Sequence, residues 1–178
     1  MFKDGNQYEG HFKDDNFEGQ GVFTWKATGA KYTGTWVNNK KHGEGLMQYR
    51  NGSKYKGLWA NDMREGTGEM NWTNEASYVG SWHNDMKHGK GTYVWPNGLK
   101  YEGDWFEGKR QGQGTQTYPG GGKYTGVFKD DKRHGLGKMS HADGSIYQGS
   151  FADNEKHGDG TFTWPNGKSY SGMWNAGA

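Results

Sequence analysis

The sequence predicts an all-β protein: an elongated, single-layer antiparallel meander of tandem β-hairpins, twisted and curled into a rod with an aromatic-lined groove. Three observations predict it. A Tyr-x-Gly-x-(Trp/Phe) motif begins at Tyr8, Tyr32, Tyr55, Tyr78, Tyr101, Tyr124, Tyr147 and Tyr170, with a first step of 24 residues and six of 23. Strict self-similarity at such a period marks a repeat architecture. This motif and the Gly-x-Gly that follows it in each full unit alternate with period 2, the period of a strand. Finally, aromatics are 16% of the chain, hydrophobic residues of all kinds only 30%, and 33 residues are glycine. Glycine at that density would cost a helix about 1 kcal/mol each, whereas Trp and Tyr suit a pleated, half-buried surface.

The 178 residues form one array, with the last repeat incomplete. A mean hydropathy of −1.21 would fit disorder, but disordered segments are poor in aromatics. The net charge of +2 gives no global pull toward nucleic acid. Cysteine is absent, which removes disulfides and thiolate sites and fits a reducing compartment. No apolar run approaches the ~20 residues of a membrane span, and Met1–Gly10 lacks a signal-peptide core; the expected location is cytoplasmic.

Each repeat reads as two strands. All three prolines, Pro96, Pro119 and Pro165, precede Asn-Gly or Gly-Gly, which suits a three-residue hairpin loop ending on a left-handed glycine. With Pro96-Asn97-Gly98 as the loop, Tyr93 faces Tyr101, Gly91 faces Gly103 and Gly89 faces Trp105. Across a six-residue loop from Phe106 to Gln111, Trp105 faces Gly112, so that the indole lies between two glycines. The same parity gathers every aromatic except Phe2, Phe17 and Phe106 onto one face. The opposite face is polar, with Lys90, Thr92, Glu102 and Asp104. At about 4.8 Å per strand, the seven repeat steps give a length of roughly 70 Å.

The stretch YEGDWFEGKRQGQGTQTYPGGGKYTG, Tyr101–Gly126, resembles a MORN repeat (membrane occupation and recognition nexus), and about eight such units cover the chain. The resemblance implies a β-hairpin array with a non-catalytic, scaffolding role, since such repeats occur in cytoskeletal scaffolds, ciliary radial-spoke components and membrane tethers. They also occur as appendages of enzymes, and a regulatory piece of a larger enzyme is one alternative. The chain stops one strand into its last unit, whereas natural arrays end in a polar cap, which favours a fragment of a longer protein.

Two sets of side chains are candidates for binding. The regular row Trp36, Trp59, Trp82, Trp105 and Phe128, with Tyr55, Tyr78 and Tyr101, is expected to line a partner-binding groove, because aromatic anchors supply most of the affinity of such interfaces. The partner would be a protein of a cytoskeletal or ciliary assembly, or a second copy in a homodimer. Lys41, Arg64, Lys87, Arg110, Arg133 and Lys156 recur once per repeat and could form an edge for an acidic partner or anionic membrane lipid. Interspersed Asp62, Asp85, Asp130, Asp131 and Asp153 cancel much of that field, and a solvated hairpin end is the plainer reading.

No metal or cofactor is expected. His42, His88, His134 and His157 precede Gly-x-Gly at intervals that set them at least ~10 Å apart, too far to share one zinc. Gly167-Lys168-Ser169 resembles the end of a phosphate loop, but Phe162 stands where its first glycine belongs.

Overall fold

The computed structural model describes residues 2–175; Ala176–Ala178, on which the chain-end expectation partly rests, lie outside them. Among the described residues there is no helix. Fifteen strands belong to one antiparallel sheet in sequence order, the meander that the alternation predicts. The chain divides into two compact units after His88.

The first unit holds β1 (Gln7–Lys13), β2 (Asn16–Trp25), β3 (Ala30–Val37), β4 (Lys40–Gln48), β5 (Lys54–Ala60), β6 (Met63–Asn71), β7 (Ser77–His83) and the start of β8 (Met86–Val94). The second holds the rest of β8 and β9 (Lys100–Phe106), β10 (Lys109–Thr117), β11 (Lys123–Lys129), β12 (Lys132–Ser140), β13 (Ile146–Ala152), β14 (Glu155–Thr163) and β15 (Ser169–Trp174). Within each unit the strands make a single layer.

The Pro-Asn-Gly loop forms as the sequence predicts. Gly98, at φ 81°, donates its N–H to Trp95 C=O at 2.9 Å, and Trp95 donates to Leu99 C=O at 2.8 Å. Asn97 Oδ1 accepts from Leu99 N–H at 3.1 Å, which holds the turn closed. The β8–β9 register follows: Tyr93 opposite Tyr101, Gly91 opposite Gly103, Gly89 opposite Trp105. In the 24-residue step the turn widens by one residue, and Trp25 C=O accepts from both Thr28 and Gly29 N–H. Glu75, at φ 69°, occupies the left-handed position that Gly52 and Gly98 fill elsewhere. Because a side chain there costs about 1–2 kcal/mol, Glu75→Gly is expected to stabilise the protein by about 1 kcal/mol. A raised urea midpoint at unchanged m-value is the check.

The other loop differs from expectation. β9 and β10 are joined by Glu107-Gly108 alone, and Trp105 faces Arg110, not Gly112. Both loop residues have positive φ, 47° and 84°, as do Asp14-Asp15, Asn38-Asn39, Asn61-Asp62, Asn84-Asp85, Asp130-Asp131 and Asp153-Asn154 in the equivalent turns. These are the tight primed turns whose twist matches the strands, and Asn and Asp tolerate them best. A bulge then restores register: between the pairs Arg110–Trp105 and Gly114–Gly103, three residues of β10 stand opposite Asp104 alone, and Gly112 at their centre turns at φ 77°.

The two glycines of Gly-x-Gly therefore have different roles. The first makes the bulge. The second is the seat of a tyrosine, and this corrects the expectation that an indole covers the bare backbone. A Cβ on Gly114 would lie 2.5 Å from Tyr101 Oη, and one on Gly103 would lie 2.5 Å from Gly114 Cα. The Tyr101 hydroxyl donates to Asp104 C=O at 2.9 Å, which holds the ring down.

On this floor stands the core. Tyr32, Tyr55 and Tyr78 in the first unit, and Tyr101, Tyr124 and Tyr147 in the second, are fully buried. Each packs edge-to-face against a neighbour: Tyr55 lies 5.1 Å from Trp59 and 5.4 Å from Trp82, and Tyr101 lies 5.2 Å from Trp105 and 4.9 Å from Phe128. Such pairs add about 0.5–1.5 kcal/mol beyond area burial. The indoles also satisfy themselves locally, with Trp82 Nε1 donating to Gly68 C=O and Trp105 Nε1 to Gly91 C=O.

Candidate functional site

The aromatic face has two tiers. Trp36, Trp59, Trp82, Trp105 and Phe128 are only 1–4% exposed, and Tyr55, Tyr78 and Tyr101 are fully buried, so the surface over this row is supplied by its neighbours. What reaches solvent is the second row of aromatics at the ends of the even-numbered strands: Trp25, Tyr49 and Trp72 in the first unit, Trp95, Tyr118 and Trp164 in the second. Five are half-buried, and Trp164 is exposed. The sequence holds this row as clearly as the first, but parity alone does not say which tier lies deeper.

The cations lie over the buried tier. Two residues past each primed turn, their side chains lie on the aromatic face and stack over it. Lys41 Nζ lies 4.4 Å from the Trp59 ring, the Arg64 guanidinium 4.3 Å from Trp82, and Lys87 Nζ 5.8 Å from Tyr78. In the second unit Arg110 lies 5.2 Å from Phe128, Arg133 5.5 Å from Phe151, and Lys156 4.6 Å from Trp174. A cation over an aromatic face is attracted by the ring quadrupole. Phe17 takes this position in the first repeat and stacks on Tyr8 at 3.9 Å, a role the aromatic pattern alone does not reveal.

Aspartates of the following turn tie the two arginines Arg64 and Arg110 down. Arg64 donates from Nε to Asp85 Oδ1 at 2.9 Å and from Nη2 to Asp85 C=O at 2.8 Å, and Arg110 pairs with Asp131 at 3.1 Å. Backbone bonds run the same way, from Asp62 N–H to Lys41 C=O and from Asp131 N–H to Arg110 C=O. Burial lowers the pKa of Lys41, partly offset by Asp62 and Asp85, and burial also lowers that of Lys156.

This face carries a hollow in the first unit. The depression, of about 620 Å³, is lined by Tyr49, Arg50, Asn51, Ser53, Arg64, Met70 and Trp72. Ser53 is 2% exposed, and its Oγ is buried without a hydrogen-bond partner. The opposite face of the same unit carries a hollow of about 780 Å³ whose lining includes Leu46, Leu58 and Val79 among charged Lys56, Glu44 and Glu69. Among the described residues no group of three His, Asp or Glu side chains is assembled that could hold a metal ion. His83 Nδ1 sits 2.9 Å from Glu65 Oε1, and that contact lowers the carboxylate's pKa.

A sheet of tandem hairpins with one tyrosine seat per repeat defines a β-repeat protein, and the family follows from the motif. The MORN repeat model matches residues 8–27, 32–54, 55–76, 78–100, 101–123, 124–146 and 147–169. The chain belongs to the MORN-repeat family. Among solved structures it is similar to the TCP domain of Drosophila melanogaster SAS-4, at 15% identity over 88% of this chain and 84% of that one, with a TM-score of 0.53. That domain was solved in complex with a proline-rich motif of Ana2. The TCP10 domain of Danio rerio CPAP is also similar, at 12% identity over 97% of this chain and 81% of that one, TM-score 0.53. At these identities the likeness is one of fold.

Proposed function

We propose that this protein is a non-catalytic scaffold that holds a segment of a protein partner against its aromatic face, within a cytoskeletal or ciliary assembly. One observation carries the reading: a single-layer sheet presents a repeated row of accessible aromatics with guanidinium and ammonium groups stacked beside them. Large aromatics and arginines that stay accessible are the residues that dominate protein interfaces. The SAS-4 domain of similar fold, solved with a proline-rich motif of another protein, supports use of such a sheet as a peptide platform. The setting rests on the resemblance to cytoskeletal and radial-spoke repeats. An anionic membrane is the weaker reading, because Arg64 and Arg110 already hold Asp85 and Asp131.

The test uses the accessible tier, because truncating Trp82 or Trp105 would open the core. Affinity capture from cells with the intact chain should return a stoichiometric protein partner. Trp72→Ala in the first unit or Trp95→Ala in the second should lower its recovery at least ~10-fold, the loss of one aromatic hot spot, with an unchanged circular dichroism spectrum. No stoichiometric partner, or undiminished recovery with both folded variants, would exclude the reading.

A further inference from the structure

The depression between Tyr49 and Trp72 differs from its counterparts in ways that define its ligand. The position of Ser53, whose C=O accepts from Tyr49 N–H, corresponds to Ala76, Leu99, Gly122, Ser145 and Lys168 in the other turns. The only other hydroxyl among these, Ser145 Oγ, donates to Asp143 at 2.7 Å. Ser53 Oγ is thus, among the described residues, a buried hydroxyl left without a partner on a residue that lines a hollow. A buried hydroxyl without a bond is costly, so a ligand atom that bonds it gains more than one bonding a solvated group.

The rest of the lining is rich in donors. Burial raises the pKa of Tyr49 and keeps its hydroxyl protonated. Arg50 and Arg64 bring guanidinium groups, which donate and never accept. Asn51 uses its carbonyl oxygen to accept from Ser53 N–H at 3.0 Å, so what it still has to offer is the donor NH₂. A ligand suited to this site brings acceptors and few donors, and flat apolar surface to lie between Tyr49 and Trp72. A proline-rich segment has that chemistry: proline lacks an N–H, and a polyproline II backbone leaves its carbonyls unbonded.

The pitch agrees. Tyr49 and Trp72 occupy equivalent positions one repeat apart, which is two strands or about 9.6 Å. One turn of polyproline II is three residues of 3.1 Å, about 9.3 Å. A segment crossing the strands of the first unit therefore brings a proline ring to each second-row aromatic, with a carbonyl between them above Ser53. We infer that this depression is a subsite for a proline-rich segment in the polyproline II conformation, with Tyr49 and Trp72 as its walls and Ser53 as its buried anchor. The inference deepens the scaffold reading and rests on it.

A fluorescein-labelled decaproline peptide, titrated against the full chain and followed by anisotropy, is the test. Saturable binding that added salt leaves unchanged is expected. Ser53→Ala, which places at this position the residue that Ala76 already supplies in the next repeat, should weaken binding about threefold to tenfold, the worth of one hydrogen bond. Trp72→Ala should weaken it at least ~10-fold. A glycine-serine peptide of equal length should not bind. Absence of decaproline binding at millimolar concentration, equal binding of the glycine-serine peptide, or wild-type affinity in both folded variants would each overturn the inference. If a captured partner depends on Trp72 but decaproline does not bind, the scaffold reading stands and the proline-rich subsite falls.

Discussion

Gly68→Ala is expected to destabilise the protein by about 3 kcal/mol or more, although it adds one methyl group. The added Cβ would lie 2.2 Å from Tyr55 Oη and 2.5 Å from Cζ, distances no real Cβ contact allows. The ring cannot swing aside: it is fully buried, wedged between Trp59 and Trp82, and its hydroxyl is bonded to Leu58 C=O at 3.1 Å. Nor can the strand retreat, because Gly57 on β5 pairs directly with Gly68 on β6, and a Cβ on Gly57 would itself meet Gly68 Cα at 2.4 Å. Gly120→Ala is the matched control. It meets nothing within 4 Å and should shift stability by no more than about 0.5 kcal/mol. Urea denaturation of both variants gives the comparison, and a double-mutant cycle assigns the cause. In a Tyr55→Ala background the clash is gone, so Gly68→Ala should cost little there and show strong coupling. Equal costs in both backgrounds would mean that the glycine is needed for something other than the tyrosine seat.

Gly68 also marks where the sequence is transparent and where it is not. Strand order, the aromatic face and the Pro-Asn-Gly register are all legible, because a period of two and a recurring turn dictate which side chains share a face. The two-residue primed turns are written in Asp-Asp, Asn-Asp and Asp-Asn between strands, yet the spacing from Phe106 to Gln111 equally suits a six-residue loop. That loop displaces Trp105 from Arg110 to Gly112 and exchanges the two glycines' roles. A bulge of this kind causes the error because it adds two residues, an even number that leaves the period-two pattern on either side in phase. The depth of the two aromatic tiers was not legible, since parity assigns a face and says nothing of height above it. Ser53 was invisible for a different reason. Its distinction is an unbonded hydroxyl at a position where Ala, Leu, Gly and Lys also occur, so no pattern of residue types singles it out.

The fully buried tyrosines make the fold sensitive to alkali, and cooperative unfolding between about pH 10 and pH 12 is expected. Burial raises the pKa of Tyr32, Tyr55, Tyr78, Tyr101 and Tyr147, and pushes that of Tyr124 up to about 12, because a phenolate has no place in the apolar row. A raised folded-state pKa gives stability that is complete below the unfolded value of about 10 and is lost as pH climbs above it. In that window the unfolded chain releases protons that the folded chain retains. Each of the five most strongly shifted, Tyr147 being the exception, removes about 1.4 kcal/mol per pH unit, so the five together remove roughly 7. That slope exhausts an ordinary domain's 5–15 kcal/mol within one to two units. Lys41 and Lys156 act in the opposite sense. Their lowered pKa values mean that folding gains stability as pH rises toward about 10.5, where free lysine also loses its proton. Two such groups, finished by that pH, cannot offset five tyrosines titrating beyond it. Tyrosinate absorbance and far-ultraviolet circular dichroism, recorded on one sample, decide the matter. The buried phenols should ionise in a single step together with loss of the β signal. Smooth ionisation of all eleven tyrosines around pH 10 with the sheet intact would show that the tyrosine seats open to solvent without unfolding.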